Sequence, residues 1–390
     1  MVFNVQVMRA IAATLVVWVH TQELIVTDVL PHWLRSFGYG GVDLFFVISG
    51  FIMVRTTQNK NIRPIQFYRK RILRVAPLYA FFTILIVILS ATMPDVLNST
   101  QIEVSQIAKS LVFFPFEKTP DSLYPIYYLG WTLNYEMFFY SIFAVALLLP
   151  KRARLMAITA VIVSLAGIGN SIGGLSDYGV AAFFYTRPIL MDFVLGVLAA
   201  SYFHDSARTA RNPMRWWLCL AAGVSWLAFG GEVIGFGDVP VSPPTDTFLR
   251  FGIASGLIVA GVVGLEQSGT RIGSPLMQRA GDASYSIYLS HYFFIAAVIA
   301  VANRLELNDA ARALLAPATM AAAVAVGFAT YHLLERPFAG DLGIYQRLAR
   351  LFVAPPPMQP RAITEEAVMG TTRKVQRPDA LESDSQSKTT

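Results

Sequence analysis

Arg9 and His20 stand eleven residues apart in a stretch that is otherwise largely apolar. On a helix, at about 100° per residue, that separation closes to within roughly 20° of three full turns, so both side chains share one face about 16 Å apart. A cation near one end and an imidazole deeper along the same face suit a long anionic molecule held by its charged end, its far end at the histidine. His20 alone reads equally as a helix–helix hydrogen bond. The other ionisable residues in apolar surroundings are Glu23, Asp43, Glu136, Arg187, Asp192 and His291. Charge is costly in lipid unless paired or facing water, so each is a functional candidate. By depth, His20, Asp43 and Glu136 are expected in one layer, roughly 3 to 8 Å to the outer side of the midplane.

Residues 55–74 carry seven basic residues and no acidic one. Within FYRKRILRVAPLY, Arg69, Lys70, Arg71 and Arg74 cluster, and Arg71 and Arg74 share a face at i, i+3. Two readings stay open: anchoring to anionic lipid, or binding of phosphate, for which the planar guanidinium fork is suited. Arg187 and Asp192, five apart, point about 140° away from each other on a helix and read as structural partners of other helices. His291 reads either as structural or as a second functional histidine. Glu335 precedes Arg336 and Pro337; the proline explains where the helix ends but not the acid.

Long apolar helices must position these groups. Of 390 residues, 55% are hydrophobic and 14% are Asp, Glu, Lys or Arg, with a mean hydropathy of +0.51. A soluble domain carries about 25% charged residues, so a soluble globular enzyme, a disordered chain and a disulfide scaffold are excluded. One cysteine, Cys219, permits no internal disulfide and no cysteine zinc cluster, and no metal site is expected. The chain is expected to be an all-α polytopic integral membrane protein with about ten transmembrane helices. They lie near residues 5–25, 39–56, 75–93, 126–149, 154–174, 180–202, 215–233, 248–265, 284–303 and 311–333. The alternating connections hold 18 Lys plus Arg on one side, counted to residue 353, against Arg35, Lys109, Lys118 and Arg304 on the other. That bias puts both termini in the cytoplasm and assigns the net charge of +6 to the membrane face, not to nucleic acid. The first span is not expected to be a cleaved signal peptide. Residues 1–345 form the transmembrane domain, and 354–390, opening on APPPMQP, are expected to be a disordered cytoplasmic tail.

Taken together these segments resemble the bacterial membrane acyltransferase-3 family, and most of all its exopolysaccharide-production O-acetyltransferases. The resemblance runs from Arg9 to His20, through GVDLFFVISGF at 41–51, Arg71 to Tyr79, WTLNYE at 131–136, Arg187 to Gly196, SYSIYLSH at 284–291 and ERP at 335–337. It implies a bacterial inner-membrane enzyme that uses acetyl-CoA as cosubstrate, with no bound cofactor. The implied acceptor is a polysaccharide or a lipid-linked oligosaccharide, in contact with membrane lipid. On this reading Arg9, Arg69, Lys70, Arg71 and Arg74 hold acyl-CoA, and His20 removes the proton of a sugar hydroxyl. Glu136 or Asp43 would fix the tautomer of His20, with Arg187, Asp192, His291 and Glu335 in support. A transporter of a sugar or acyl carrier and a scaffold for a polysaccharide-synthesis complex are the competing readings. Neither the oligomeric state nor the acceptor sugar is written in the sequence.

Overall fold

An apolar chain in lipid must satisfy its own backbone hydrogen bonds, and the apolar runs fold as helices in the computed structural model. It describes residues 2–25, 30–92, 102–118, 122–169, 171, 178–204, 212–233 and 247–337. All of them belong to one compact unit, Met1–Leu342; the expected tail at 354–390 lies outside the described residues. The helices are α1 Phe3–Thr21, α2 His32–Phe37, α3 Gly40–Thr57, α4 Pro64–Thr92, α5 Val104–Leu111, α6 Gly130–Ala146 and α7 Lys151–Gly169. There follow α8 Val180–Phe184, α9 Met191–Tyr202, α10 Pro213–Val233, α11 Ile253–Gln267, α12 Pro275–Asp282, α13 Ser284–Arg304 and α14 Asp309–Thr330. No β-sheet forms among the described residues.

Among the described residues, seven helical stretches are long and apolar enough to cross a membrane: Phe3–Leu24, Trp33–Thr57, Pro64–Thr92, Lys151–Gly169, Phe248–Gln267, Ser284–Arg304 and Asp309–Glu335. The other three expected spans are helical in different ways. The one at 215–233 is α10, while 126–149 narrows to the 17 residues of α6. The third, at 180–202, breaks into α8, a 3-10 turn over Pro188–Leu190 and α9. The break has a local cause: proline disfavours helix in the residue before it, and Arg187 is extended at φ −74°, ψ 146°. The basic stretch read as a connection over 55–74 is helical from Pro64, so Arg69 to Arg74 ride on the first turns of α4. Likewise the expected outer loop at 94–125 contains α5, opened by a Glu103/Gln106 capping box.

Apolar side chains face outward on the spanning helices, and a minority of polar groups is buried within an apolar core. Ile88, Val161, Val301 and Leu314 are exposed on the spanning helices, while Asn4, Gln6, Arg9, Asp43, Asp192 and His291 are buried. Two buried interactions fix the parts that carry the site. First, α3 and α9 meet backbone to backbone: a Cβ on Gly50 would stand 2.2 Å from the Phe193 carbonyl oxygen, and one on Gly196 2.0 Å from that of Val47. Second, the start of α1 is pinned. Glu266 accepts from the Phe3 and Asn4 backbone N–H groups at 2.8 and 2.6 Å, satisfying donors that a helix start leaves open. The Asn4 amide donates to Val262 O at 2.9 Å and accepts from Ile272 N at 2.8 Å. Gln6 donates to Asp282 at 2.5 Å. With its first turn held to α11 and α12, α1 presents Arg9 and His20 in a fixed register.

Candidate functional site: two abutting cavities

Helices α1, α3, α4, α6 and α13 line a partly open cavity that gathers Arg9, Arg71, Arg74 and Glu136. Arg9 is 6% exposed, and its guanidinium donates to Gln6 at 3.3 Å, so the Gln6–Asp282 contact also orients it. Arg71 stacks its guanidinium over Phe67 and Tyr140, at 5.3 and 5.9 Å from the ring centroids, and reaches Thr56 Oγ1 at 3.5 Å. Glu136 accepts from Ser49 at 3.3 Å and from the Tyr140 hydroxyl. Glu335 accepts from Ser286 at 2.5 Å and lies in the field of Arg74 and Arg9. Three guanidinium groups against few acids, in a mostly apolar cavity, could hold an anion with an apolar arm.

A second cavity lies toward the other end of α1 and gathers His20, Asp43, Tyr128 and Trp131. The His20 side chain is 16% exposed. Its Nδ1 stands 3.5 Å from Glu23 Oε1, and the Tyr128 hydroxyl lies 2.6 Å from its Nε2 and 3.0 Å from its Nδ1. A carboxylate only accepts, so with Nδ1–H directed to Glu23 the nitrogen nearer Tyr128, Nε2, accepts from the Tyr128 hydroxyl. Tyr292 meets the His20 ring edge to face at 5.3 Å, and His291 lies 5.2 Å from it. His291 Nδ1 is 3.0 Å from the Ile287 carbonyl, which can only accept, so that nitrogen carries hydrogen. A basic imidazole nitrogen facing a polar, aromatic-walled cavity can take a proton from a bound hydroxyl.

The arrangement sorts the residues singled out from the sequence. Arg9, Arg71, Arg74 and Glu136 share the first cavity, and His20 and Asp43 the second. Glu136 therefore sits with the arginines, and the carboxylate in contact with His20 is Glu23, three residues along the same chain segment. Asp43 accepts from Thr247 at 2.9 Å and lies beside Asp192, carried on α9. His291 is in ring contact with His20. Arg69 and Lys70 are exposed, and neither lines the cavity that holds Arg71 and Arg74. Arg187 lines neither cavity: it donates to Phe183 O at 3.2 Å and Gly169 O at 2.9 Å, tying α8 to the end of α7. Sequence reasoning missed Tyr128 and Tyr140, and counted Glu23 without giving it a partner. Tyr128 lies inside the expected span at 126–149 but carries no charge to single it out, and its place just before the Trp131–Glu136 segment was the signal that could have flagged it. Among the described residues no cluster of three or more His, Cys, Asp or Glu could hold a metal ion.

Comparison with known proteins gives this geometry a context. Residues 2–332 match the model of the acyltransferase-3 family, described as an acyltransferase domain. The chain is 33% identical over 309 residues to the exopolysaccharide production protein ExoZ of Rhizobium meliloti (strain 1021), covering 77% of this chain and 90% of that protein. It is 26% identical over 289 residues to nodulation protein 10 of Rhizobium leguminosarum bv. viciae, covering 68% of this chain and 74% of the relative. No solved structure matches the chain. A family model matched over most of the sequence, and a relative aligned along nearly its whole length, place this multi-pass membrane protein in the acyltransferase-3 family.

Proposed function

We propose that the protein is an O-acyltransferase of the bacterial inner membrane that moves acetyl from acetyl-CoA to a hydroxyl of an exopolysaccharide sugar or its lipid-linked precursor. The observation that carries this reading is the pair of abutting cavities, one holding Arg9, Arg71 and Arg74, the other His20. The polysaccharide acceptor is suggested by the name of the relative from R. meliloti. With the basic residues of the connections facing the cytosol, both termini are cytosolic and the arginine cavity faces the cytosolic pool of acyl-CoA.

In this mechanism Arg71 and Arg74 hold the CoA phosphates, and Arg9 lies along the path of the pantetheine arm. The arm brings the thioester toward His20. The acceptor hydroxyl oxygen attacks the thioester carbonyl carbon while its proton passes to His20 Nε2, Tyr128 giving up its place there to the acceptor. The C–S bond then breaks, the acyl ester leaves on the sugar, and the proton on Nε2 passes to the departing sulfur, restoring the neutral imidazole. Glu23 holds Nδ1–H and stabilises the imidazolium formed between the two proton transfers. Asp43, with Asp192 behind it, lines the same cavity and is placed to bind acceptor hydroxyls. No serine or cysteine nucleophile is required.

The test is transfer of labelled acetyl from acetyl-CoA to polysaccharide in membranes holding His20→Ala. Transfer should fall to background while the protein inserts at its normal level. Undiminished acetylation by that variant would remove His20 from the chemistry.

A further inference from the structure

Val42 and Tyr288 line both cavities. They come from facing helices, α3 and α13, at the level where the two cavities abut. Tyr288 is 5% exposed, and its hydroxyl is held from two sides: it pairs with Thr132 Oγ1 at 2.8 Å and donates to Leu129 O at 3.0 Å. Its ring rests edge to face against Phe45, 6.0 Å between centroids, with His291 at 6.2 Å on another side. Thr132 and Leu129 belong to the start of α6 and the residue before it, so the latch joins α13 to α6 beside the joint. A side chain this well placed in a core would ordinarily be packing alone. Here it has cavity on both sides, one lined by guanidinium groups and the other by an imidazole.

We propose that Tyr288 and Val42 form the partition between the two cavities and are the specificity-determining residues for whatever crosses it. The partition separates the cationic chamber at one end of α1 from the His20 chamber at the other, and so keeps a membrane-spanning protein from becoming a pore. It also leaves only a narrow passage, set by one phenol ring and one isopropyl group. If the arginine cavity binds acyl-CoA, which is the reading proposed above and on which this last step rests, the acyl end must slip past Tyr288 to reach His20. Tyr288 and Val42 then limit the length of acyl chain transferred.

The partition is tested without any substrate. In a Cys219→Ser background, Ile52→Cys places a thiol in the arginine cavity and Val19→Cys one in the His20 cavity. A small charged methanethiosulfonate, applied to one face of the membrane at a time, reads which thiol is reached from where. With Tyr288 in place each cysteine should react from one face only, and the two from opposite faces. With Tyr288→Ala, or Val42→Ala/Tyr288→Ala, each should react from both. Tyr288→Leu keeps an apolar side chain in the core and should give the same opening if the alanine variants fail to insert. Labelling from both faces with Tyr288 intact, or an unchanged pattern in every inserted variant, overturns the partition. The second arm compares butyryl-CoA with acetyl-CoA as donor: the butyryl-to-acetyl transfer ratio should rise about tenfold or more in Tyr288→Leu or Tyr288→Ala. An unchanged ratio in a variant that has opened to the thiol reagent overturns the selectivity claim. A wild-type protein that neither binds nor uses acyl-CoA would refute the donor reading while leaving the labelling result intact.

Discussion

Arg71 offers the sharpest separation between a ligand site and a lipid anchor. Its guanidinium is already oriented by the Phe67 and Tyr140 rings and by Thr56, so little side-chain entropy remains to be lost when an anion binds. A hydrogen bond to a charged group contributes about 1.5 to 3 kcal/mol, and each 1.4 kcal/mol is tenfold in affinity. Arg71→Ala should therefore weaken acetyl-CoA binding by roughly ten- to a hundredfold. Arg71→Lys keeps the charge but loses the bidentate fork and the stacking, and should recover only part of that loss. Arg74 lies in the field of Arg71, and the two cations repel each other before a ligand arrives. Removing one relieves the other, so Arg71→Ala/Arg74→Ala should cost less than the sum of the single losses. Isothermal titration of acetyl-CoA into detergent-solubilised wild type, Arg71→Ala, Arg71→Lys, Arg74→Ala and the double variant, repeated at two salt concentrations, measures each loss. The loss should shrink as salt rises, because the cavity is open enough to be screened. If the double variant binds acetyl-CoA within about twofold of wild type, the arginines serve the lipid surface instead, where a basic residue contributes about 1 kcal/mol to membrane attraction.

Two further outcomes probe the surroundings of the site. Glu23→Gln removes the carboxylate from His20 Nδ1; because the contact is 3.5 Å and Glu23 is 49% exposed, the loss in kcat should be moderate, about ten- to a hundredfold, with KM for acetyl-CoA little changed. Activity equal to wild type would mean that His20 needs no carboxylate partner. Gly196→Ala drives a Cβ to 2.0 Å from the Val47 carbonyl, and since that neighbour is backbone, α3 and α9 must separate. It should cost about 1 to 3 kcal/mol, read as a lowered Tm in detergent; an unchanged Tm would show that the two helices are not tightly joined.

The membrane character was legible because burial in lipid demands long apolar helices and little charge, and those are properties of composition. The same reasoning drew continuous regular spans where tertiary structure intervenes. Pro188 breaks one expected helix, and the aromatic segment before Gly130 shortens another, although both stretches are apolar enough to read as continuous. The Arg9 to His20 face was legible because it depends only on helical periodicity. Which carboxylate meets His20 was not, because depth along separate helices places residues in a layer but not around it. Asp43 and Glu136 were both expected in the layer of His20, but they line different cavities, Glu136 among the arginines and Asp43 with His20. Glu23, which lies past the end of α1 in a short 3-10 turn, bends back within reach. Tyr288 illustrates the same limit: its place in a motif was visible, its place between two cavities was not.

The rigidity of the frame bears on the alternative of transport. Carrying a solute by alternating access requires one bundle to rock against another around a central site. Here the site helices are joined in ways that resist such motion. α3 and α9 touch through glycines, backbone to backbone. The start of α1 is fixed to α11 and α12 by Glu266, Asn4 and the Gln6–Asp282 contact. The distance from Arg9 to His20 is then a fixed length of helix, about 16 Å, and what must adapt is the ligand and the single ring of Tyr288. On the proposed reading a flexible pantetheine arm meets that requirement, whereas a rigid sugar carried bodily across does not, and joints of this kind argue against transport by rocking helices.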